Sequence, residues 1–80
     1  MKIEVRLYAS LARYMPAQGS AGFPEMLEVP EGLTVQELLR QLRVPPEAVK
    51  VVFLNGVHAS ADQVLQPGDR IGVFPPVAGG

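Results

Sequence analysis

The sequence contains no cysteine, a single histidine and no excess of either charge: seven Lys and Arg stand against eight Asp and Glu, for a formal net charge of −1. Each scarcity excludes something. Without cysteine there is no disulfide framework, no Cys-ligated zinc or iron–sulfur cluster, and no thiolate nucleophile. Nucleic-acid binding draws on Lys and Arg concentrated enough to neutralise phosphates, and no such basic cluster occurs. No apolar run approaches the ~20 residues of a membrane span. The opening Met1-Lys2-Ile3-Glu4-Val5-Arg6-Leu7 alternates charged and apolar side chains, whereas a secretory signal needs a continuous apolar stretch. The sequence reads as a soluble, cytoplasmic protein that engages neither nucleic acid nor membrane.

The length of 80 residues fits one small domain and excludes a second. A chain this short buries only ~60% of the surface its unfolded form exposes, and no disulfide reinforces it. Its stability must come from close packing of the Val, Leu, Ile and Phe that are plentiful here. Little room is left for a ligand pocket of the usual ~300–1,000 Å³, which argues against a self-contained enzyme. The lone histidine, His58, has no evident partners, and a catalytic base needs them; it reads first as a solvent-facing residue near a hairpin. Asp62 and Asp69 read as turn residues rather than as a carboxylate pair.

Along the chain, residues 2–8 place Ile3, Val5 and Leu7 on one face and Lys2, Glu4, Arg6 and Tyr8 on the other, the period of a half-buried strand. Ser10 to Met15 has room for one helical turn before Pro16, and residues 16–24 form a Pro- and Gly-containing loop. Glu25 to Val29 is expected to close a hairpin with the first strand. Thr34 and Glu37 have the spacing of a capping box, and Val35, Leu38, Leu39 and Leu42 then fall on one helical stripe that Pro45 and Pro46 terminate by residue 43 or 44. Val51-Val52-Phe53-Leu54 is apolar on both faces, as expected of an interior strand. Asn55-Gly56 is the favoured pair for a type I′ turn, with a short strand from Val57 to Ala59 after it. One helical turn is expected within residues 60–66. A turn at Gln66-Pro67-Gly68-Asp69 leads to a last strand, Arg70 to Phe74. One amphipathic helix covering one face of a mixed four- to five-stranded sheet gives an α+β, two-layer domain.

The chemical feature is the end of the sequence, Pro75-Pro76-Val77-Ala78-Gly79-Gly80. The prolines favour an extended exit from the sheet, and the glycines, lacking Cβ atoms, let another backbone approach closely. Two glycines at a terminus arise by chance in ~0.5% of chains. Together with Asn55-Gly56, Leu65-Gln66-Pro67-Gly68-Asp69-Arg70-Ile71 and Phe74-Pro75-Pro76, this ending resembles the MoaD/ThiS family of ubiquitin-like, β-grasp sulfur carriers. The Phe-Pro-Pro-Val-x-Gly-Gly pattern is closest to the small subunit of molybdopterin synthase. The similarity is strongest over residues 51–80. The short connection from Val44 to Lys50 and the loop from Gly19 to Glu25 depart from that subunit and bear on the pathway served.

The resemblance implies a β-grasp domain over residues 1–75 and a flexible tail over 76–80. It implies a carrier, not an enzyme, that binds no cofactor of its own. A partner adenylyltransferase of the ubiquitin-activating type would use ATP to activate the Gly80 carboxylate, with Gly79 supplying reach through a narrow channel. A sulfur donor would then convert Gly80 to a thiocarboxylate, and the large subunit of molybdopterin synthase or an equivalent enzyme would accept the sulfur. Partner contacts are expected at Tyr8, His58, Phe74, Pro75, Pro76 and Val77, with Tyr8 and Phe74 forming an exposed apolar patch if the first and last strands are neighbours. A carrier for thiamine or another product, a protein modifier joined to lysines, and a subunit that never uses its tail remain as alternatives.

Overall fold

The alternating segment at the N-terminus becomes β1, Lys2–Leu7, whose Ile3, Val5 and Leu7 are almost wholly buried while the side chains between them face away. A computed structural model describes residues 1–15 and 24–76. β1 is followed by a 3₁₀ helix, Ala9–Tyr14, and by β2, Glu25–Glu28. Among the described residues the single α-helix, α1, spans Val35–Gln41; a second 3₁₀ helix covers Pro46–Ala48, and β3 (Val51–Leu54), β4 (Val57–His58) and β5 (Arg70–Phe74) follow. The sheet order is β2-β1-β5-β3-β4. β1 and β5 run parallel, and the other three pairings are antiparallel.

Parallel pairing of the first and last strands has a consequence for the core. Ile71 and Val73 of β5 lie opposite Val5 and Leu7 of β1, so both strands present their apolar residues to one face. Val52 and Leu54 extend that face across β3, and Val35 and Leu38 of α1, with Leu11, Val44 and Leu65, close over it. Among the described residues no α-helix covers the other face.

Helix α1 is seven residues long and depends on its ends, because so short a helix is not stable alone. The capping box forms: the Glu37 N–H donates to Thr34 Oγ1 at 3.2 Å, and the Thr34 N–H donates to Glu37 Oε1 at 2.9 Å. The remaining free donors are met by the segment after β4. Val35 N–H donates to the Gln63 carbonyl at 2.9 Å and Gln36 N–H to that of Ala61 at 2.8 Å. Residues 60–66 therefore do not make the expected helical turn. They form a turn held by Ser60 Oγ on Asp62, and then bridge Thr34 through Val64.

The far end of α1 falls before the prolines, as expected: the helix ends at Gln41 with Leu42 as its C-cap, and Arg43 after it adopts a left-handed φ of 63°. The Arg43 N–H donates to Arg40 and the Val44 N–H to Leu39, the paired bonds of a Schellman motif with arginine where glycine is usual. Pro46 instead opens the second 3₁₀ helix. At the β3–β4 hairpin, Asn55 and Gly56 have φ of 52° and 82°, as a type I′ turn requires. Asn55 also braces the neighbouring turn: its Nδ2 donates to Asp69 Oδ1, and its Oδ1 accepts from the Arg70 N–H, each at 2.9 Å.

Candidate functional site

At the end of β5 the sheet ladder stops for a local reason. The Phe74 carbonyl accepts the last rung, from Lys50 N–H at 2.8 Å, and the next two residues are prolines without a donor to continue it. Pro75 is half-buried and Pro76 exposed. Val77, Gly79 and Gly80 lie outside the described residues, as does the loop over 16–23.

The root of this exit is aromatic. The parallel register puts Arg6 beside Gly72, and the Tyr8 N–H donates to the Val73 carbonyl at 3.1 Å, which brings Tyr8 alongside Phe74 on the face away from the core. Their rings stack with centroids 4.2 Å apart and planes 7° from parallel. Phe53, opposite Gly72 on β3, meets Phe74 edge-on at 5.7 Å. His58, opposite Phe53 on β4, meets that ring edge-on at 6.1 Å. A Cβ on Gly72 would lie 3.4 Å from the Tyr8 ring and 3.6 Å from the Phe74 ring. The glycine is thus the floor on which the two rings lie.

The expected Tyr8–Phe74 patch is thereby brought together, and His58 stands at its far end. Phe53 was not anticipated as part of it. β3 is interior to the sheet, but only its Val52 and Leu54 side is covered; Phe53 remains 36% exposed. The signal available was the alternation from Val52 and Leu54, which sends Phe53 to the other face.

Charged side chains border the row. Glu4, Arg6 and Arg70 line a shallow depression of about 420 Å³ with Tyr8, Phe53 and Phe74. Arg6 Nε lies 3.4 Å from Glu4 Oε2, a surface pair that contributes at most ~1 kcal/mol. The Asp69 carboxylate is occupied in the turn, where it also accepts the Gln66 N–H at 2.7 Å. Among the described residues no group of three or more His, Cys, Asp or Glu is placed to hold a metal ion. The row is a surface suited to contact, with large apolar rings held rigid by one another.

A five-stranded sheet of this order, with one helix across one face, defines a ubiquitin-like β-grasp protein. A sequence profile of the ThiS family matches residues 9–80, and the chain belongs to that family, the ubiquitin-like sulfur carriers of the ThiS/MoaD type. Small proteins of this type are carriers and not themselves catalysts. Among solved structures, the chain is similar to a Pyrococcus furiosus protein assigned as molybdopterin converting factor subunit 1. That pair shares 29% identity over 95% of this chain and 98% of the other, with a TM-score of 0.69. It shares its fold with small archaeal modifier protein SAMP1 of Haloferax volcanii, at 23% identity, full coverage of both chains and a TM-score of 0.72. The same holds for a chain in the complex of molybdopterin-converting factor subunits 1 and 2 of Helicobacter pylori, at 23% identity, full coverage of both chains and a TM-score of 0.60. A search of curated proteins returned no match. No helix among the described residues is long and apolar enough to cross a membrane.

Proposed function

We propose that the chain carries sulfur for molybdopterin synthesis, as a thiocarboxylate on Gly80. The observation that carries this reading is the rigid aromatic root at Phe74, from which the Pro75-Pro76 exit leads toward Gly79-Gly80 in a protein of the ThiS family. The likeness to the Pyrococcus furiosus converting-factor subunit supports the pterin branch.

The chemistry follows from the terminal group. A free α-carboxylate has a pKa of ~3.3–3.7, so at neutral pH it is an anion and a poor electrophile. Attack of the Gly80 carboxylate on the α-phosphate of ATP, on a partner adenylyltransferase, would give an acyl-adenylate and release pyrophosphate. A sulfur donor would then displace AMP, leaving the thiocarboxylate, whose sulfur attacks the acceptor; hydrolysis would restore the carboxylate. Residues 1–75 act as the folded body and 76–80 as the tail. The body binds no cofactor; ATP belongs to the partner, and the reaction takes place in the cytoplasm.

Ordering tail residues in a partner's channel costs ~1–2 kcal/mol each in backbone entropy, so docking energy must come from the body. The row of Tyr8, Phe74, Phe53 and His58 is the surface we assign to this, with Pro75, Pro76 and Val77 completing it toward the tail. The Helicobacter pylori complex of two converting-factor subunits supports a large subunit as the acceptor partner.

The experiment is the intact mass of untagged protein purified from its native cells, with molybdopterin measured after deletion of Gly80. Replacement of one oxygen by sulfur, and loss of molybdopterin on deletion, are the expected results. A thiocarboxylate with molybdopterin unaffected would redirect the carrier to thiamine or another product. Recovery as conjugates on lysines of other proteins would make it a modifier. Retention of all activity without Gly80 would overturn the tail chemistry altogether.

A further inference from the structure

A second concave surface lies on the opposite side of the sheet, between α1, the Pro46–Ala48 turn and the β3–β4 hairpin. It is a cleft of about 380 Å³ floored by Val35, Leu39, Val44, Val52 and Ala59. Around it stand Arg40, Lys50 and His58, and none of the residues lining it is acidic. This holds on a chain whose acidic residues outnumber its basic ones by eight to seven. Neither Arg40 nor Lys50 has a carboxylate within salt-bridge distance among the described residues. Arg40 lies one turn after Glu37 on α1, and its charge contributes, behind the Thr34 hydrogen bonds, to holding that carboxyl below its ordinary value.

The cleft borders a free sheet edge, and the register defines what that edge offers. Among the described residues β4 pairs only with β3. The Ala59 N–H donates to the Val52 carbonyl at 2.9 Å, which makes Val52 and Ala59 a hydrogen-bonded pair. Bonded and non-bonded pairs alternate in an antiparallel ladder, so Phe53 and His58 form a non-bonded pair. The backbone N–H and C=O of His58 therefore point outward, away from β3 and beside the cleft. An extended strand could take both hydrogen bonds while lowering an apolar side chain into the cleft. A small molecule or a lipid tail would leave that donor and acceptor unused.

We infer that this cleft receives an extended segment of a partner protein that presents an aliphatic anchor flanked by carboxylates. The anchor meets Val35, Leu39, Val44 and Val52; the carboxylates meet Arg40 and Lys50. The site is independent of the tail chemistry. It lies across the sheet from Tyr8, Phe53 and Phe74 and shares only His58 with the aromatic row, so a partner held there leaves those three rings accessible.

The test uses the full chain labelled with ¹⁵N and two capped hexapeptides, DELLED and KKLLKK, followed by NMR titration. For DELLED the expected result is a Kd in the range of ~0.1–1 mM, with shifts at Val35, Leu39, Val52 and Ala59 and a downfield move of the His58 amide. KKLLKK should bind ~2- to 30-fold more weakly, since two exposed charge pairs contribute ~0.2–1 kcal/mol each. Both basic residues are exposed, so the double reversal Arg40→Glu with Lys50→Glu should fold normally and invert the preference between peptides. Shifts confined to Tyr8, Phe53 and Phe74, equal binding of the two peptides, or an unchanged preference in the double variant would each overturn the inference. So would the absence of any shift at ~10 mM peptide, roughly 10-fold above the weakest expected Kd.

Discussion

Removing the stacked pair at the root of the tail should reveal how firmly that root is held. A fully buried Phe→Ala change costs ~3–5 kcal/mol. Phe74 is only half-buried, so about half of that, ~2 kcal/mol, is expected for Phe74→Ala. In a domain of 60–100 residues each kcal/mol moves Tm by ~4–8 °C, which places the fall at ~8–16 °C. Tyr8→Ala should cost less, because it loses one ring contact where Phe74→Ala loses two. The informative quantity is the coupling between them. Aromatic pairs contribute ~0.5–1.5 kcal/mol beyond their buried area, and rings 4.2 Å apart and nearly parallel should fall within that range. Urea unfolding of the wild type, both single variants and the double variant gives the coupling directly, provided the m-values agree. The double variant should be less destabilised than the sum of the singles by ~1 kcal/mol. Additivity within ~0.3 kcal/mol would mean that the rings do not act as a pair, and would remove the rigid root from the argument.

Three further outcomes follow from the packing and the ends of α1. Thr34→Ala removes one half of the capping box and should cost ~1 kcal/mol by urea unfolding. Arg43→Gly should stabilise by ~0.5–1 kcal/mol, because a left-handed φ of 63° strains any residue with a Cβ; a loss of stability would show that the arginine side chain contributes more than its backbone costs. Glu28 is held below its ordinary carboxyl value of 4.5, first by its hydrogen bond to the Met1 α-amine and then by that group's charge. Glu37 is lowered first by the Thr34 backbone N–H and then by its hydroxyl. Both folded values lie below the unfolded ones, so the stabilisation is complete above about pH 4.5 and is lost as pH falls through the folded values. Glu28→Gln and N-terminal acetylation should each lower the neutral plateau of Tm and reduce its acid sensitivity; an unchanged acid limb in both would contradict the assignment.

The elements of the fold were legible where a local rule acts alone. The alternation of Ile3, Val5 and Leu7, the capping box at Thr34 and the Asn55-Gly56 turn depend on side chains close in sequence, and each forms as its spacing implies. The mixed sheet with one helix was likewise readable, because one amphipathic stripe can cover only one sheet face. Segments whose backbone bonds are met from afar were not readable. Residues 60–66 looked free to make a helical turn, yet their carbonyls are taken by the N-terminus of α1, some 25 residues earlier in the chain. Helix α1 ended before Pro45 as its sequence implied, but the left-handed Arg43 that closes it, held by Schellman bonds to Leu39 and Arg40, was not readable.

The site divides along the same line. The Gly79-Gly80 pair and the preceding prolines were apparent from the sequence alone, because a motif of adjacent residues can be read without any tertiary neighbour. The patch that Tyr8 and Phe74 form required β1 and β5 to be parallel neighbours, and Phe53 joined it only through the β3–β5 register. The cleft beside α1 left no mark in the sequence. Its floor comes from a helix, the segment after it and two strands, and its basic rim exists only because packing sets Arg40 near Lys50. Sequence determined which local pieces form and which motif resembles a sulfur carrier's; tertiary structure decided which side chains share a surface, because that depends on strand order and register, which are set by burying one common core.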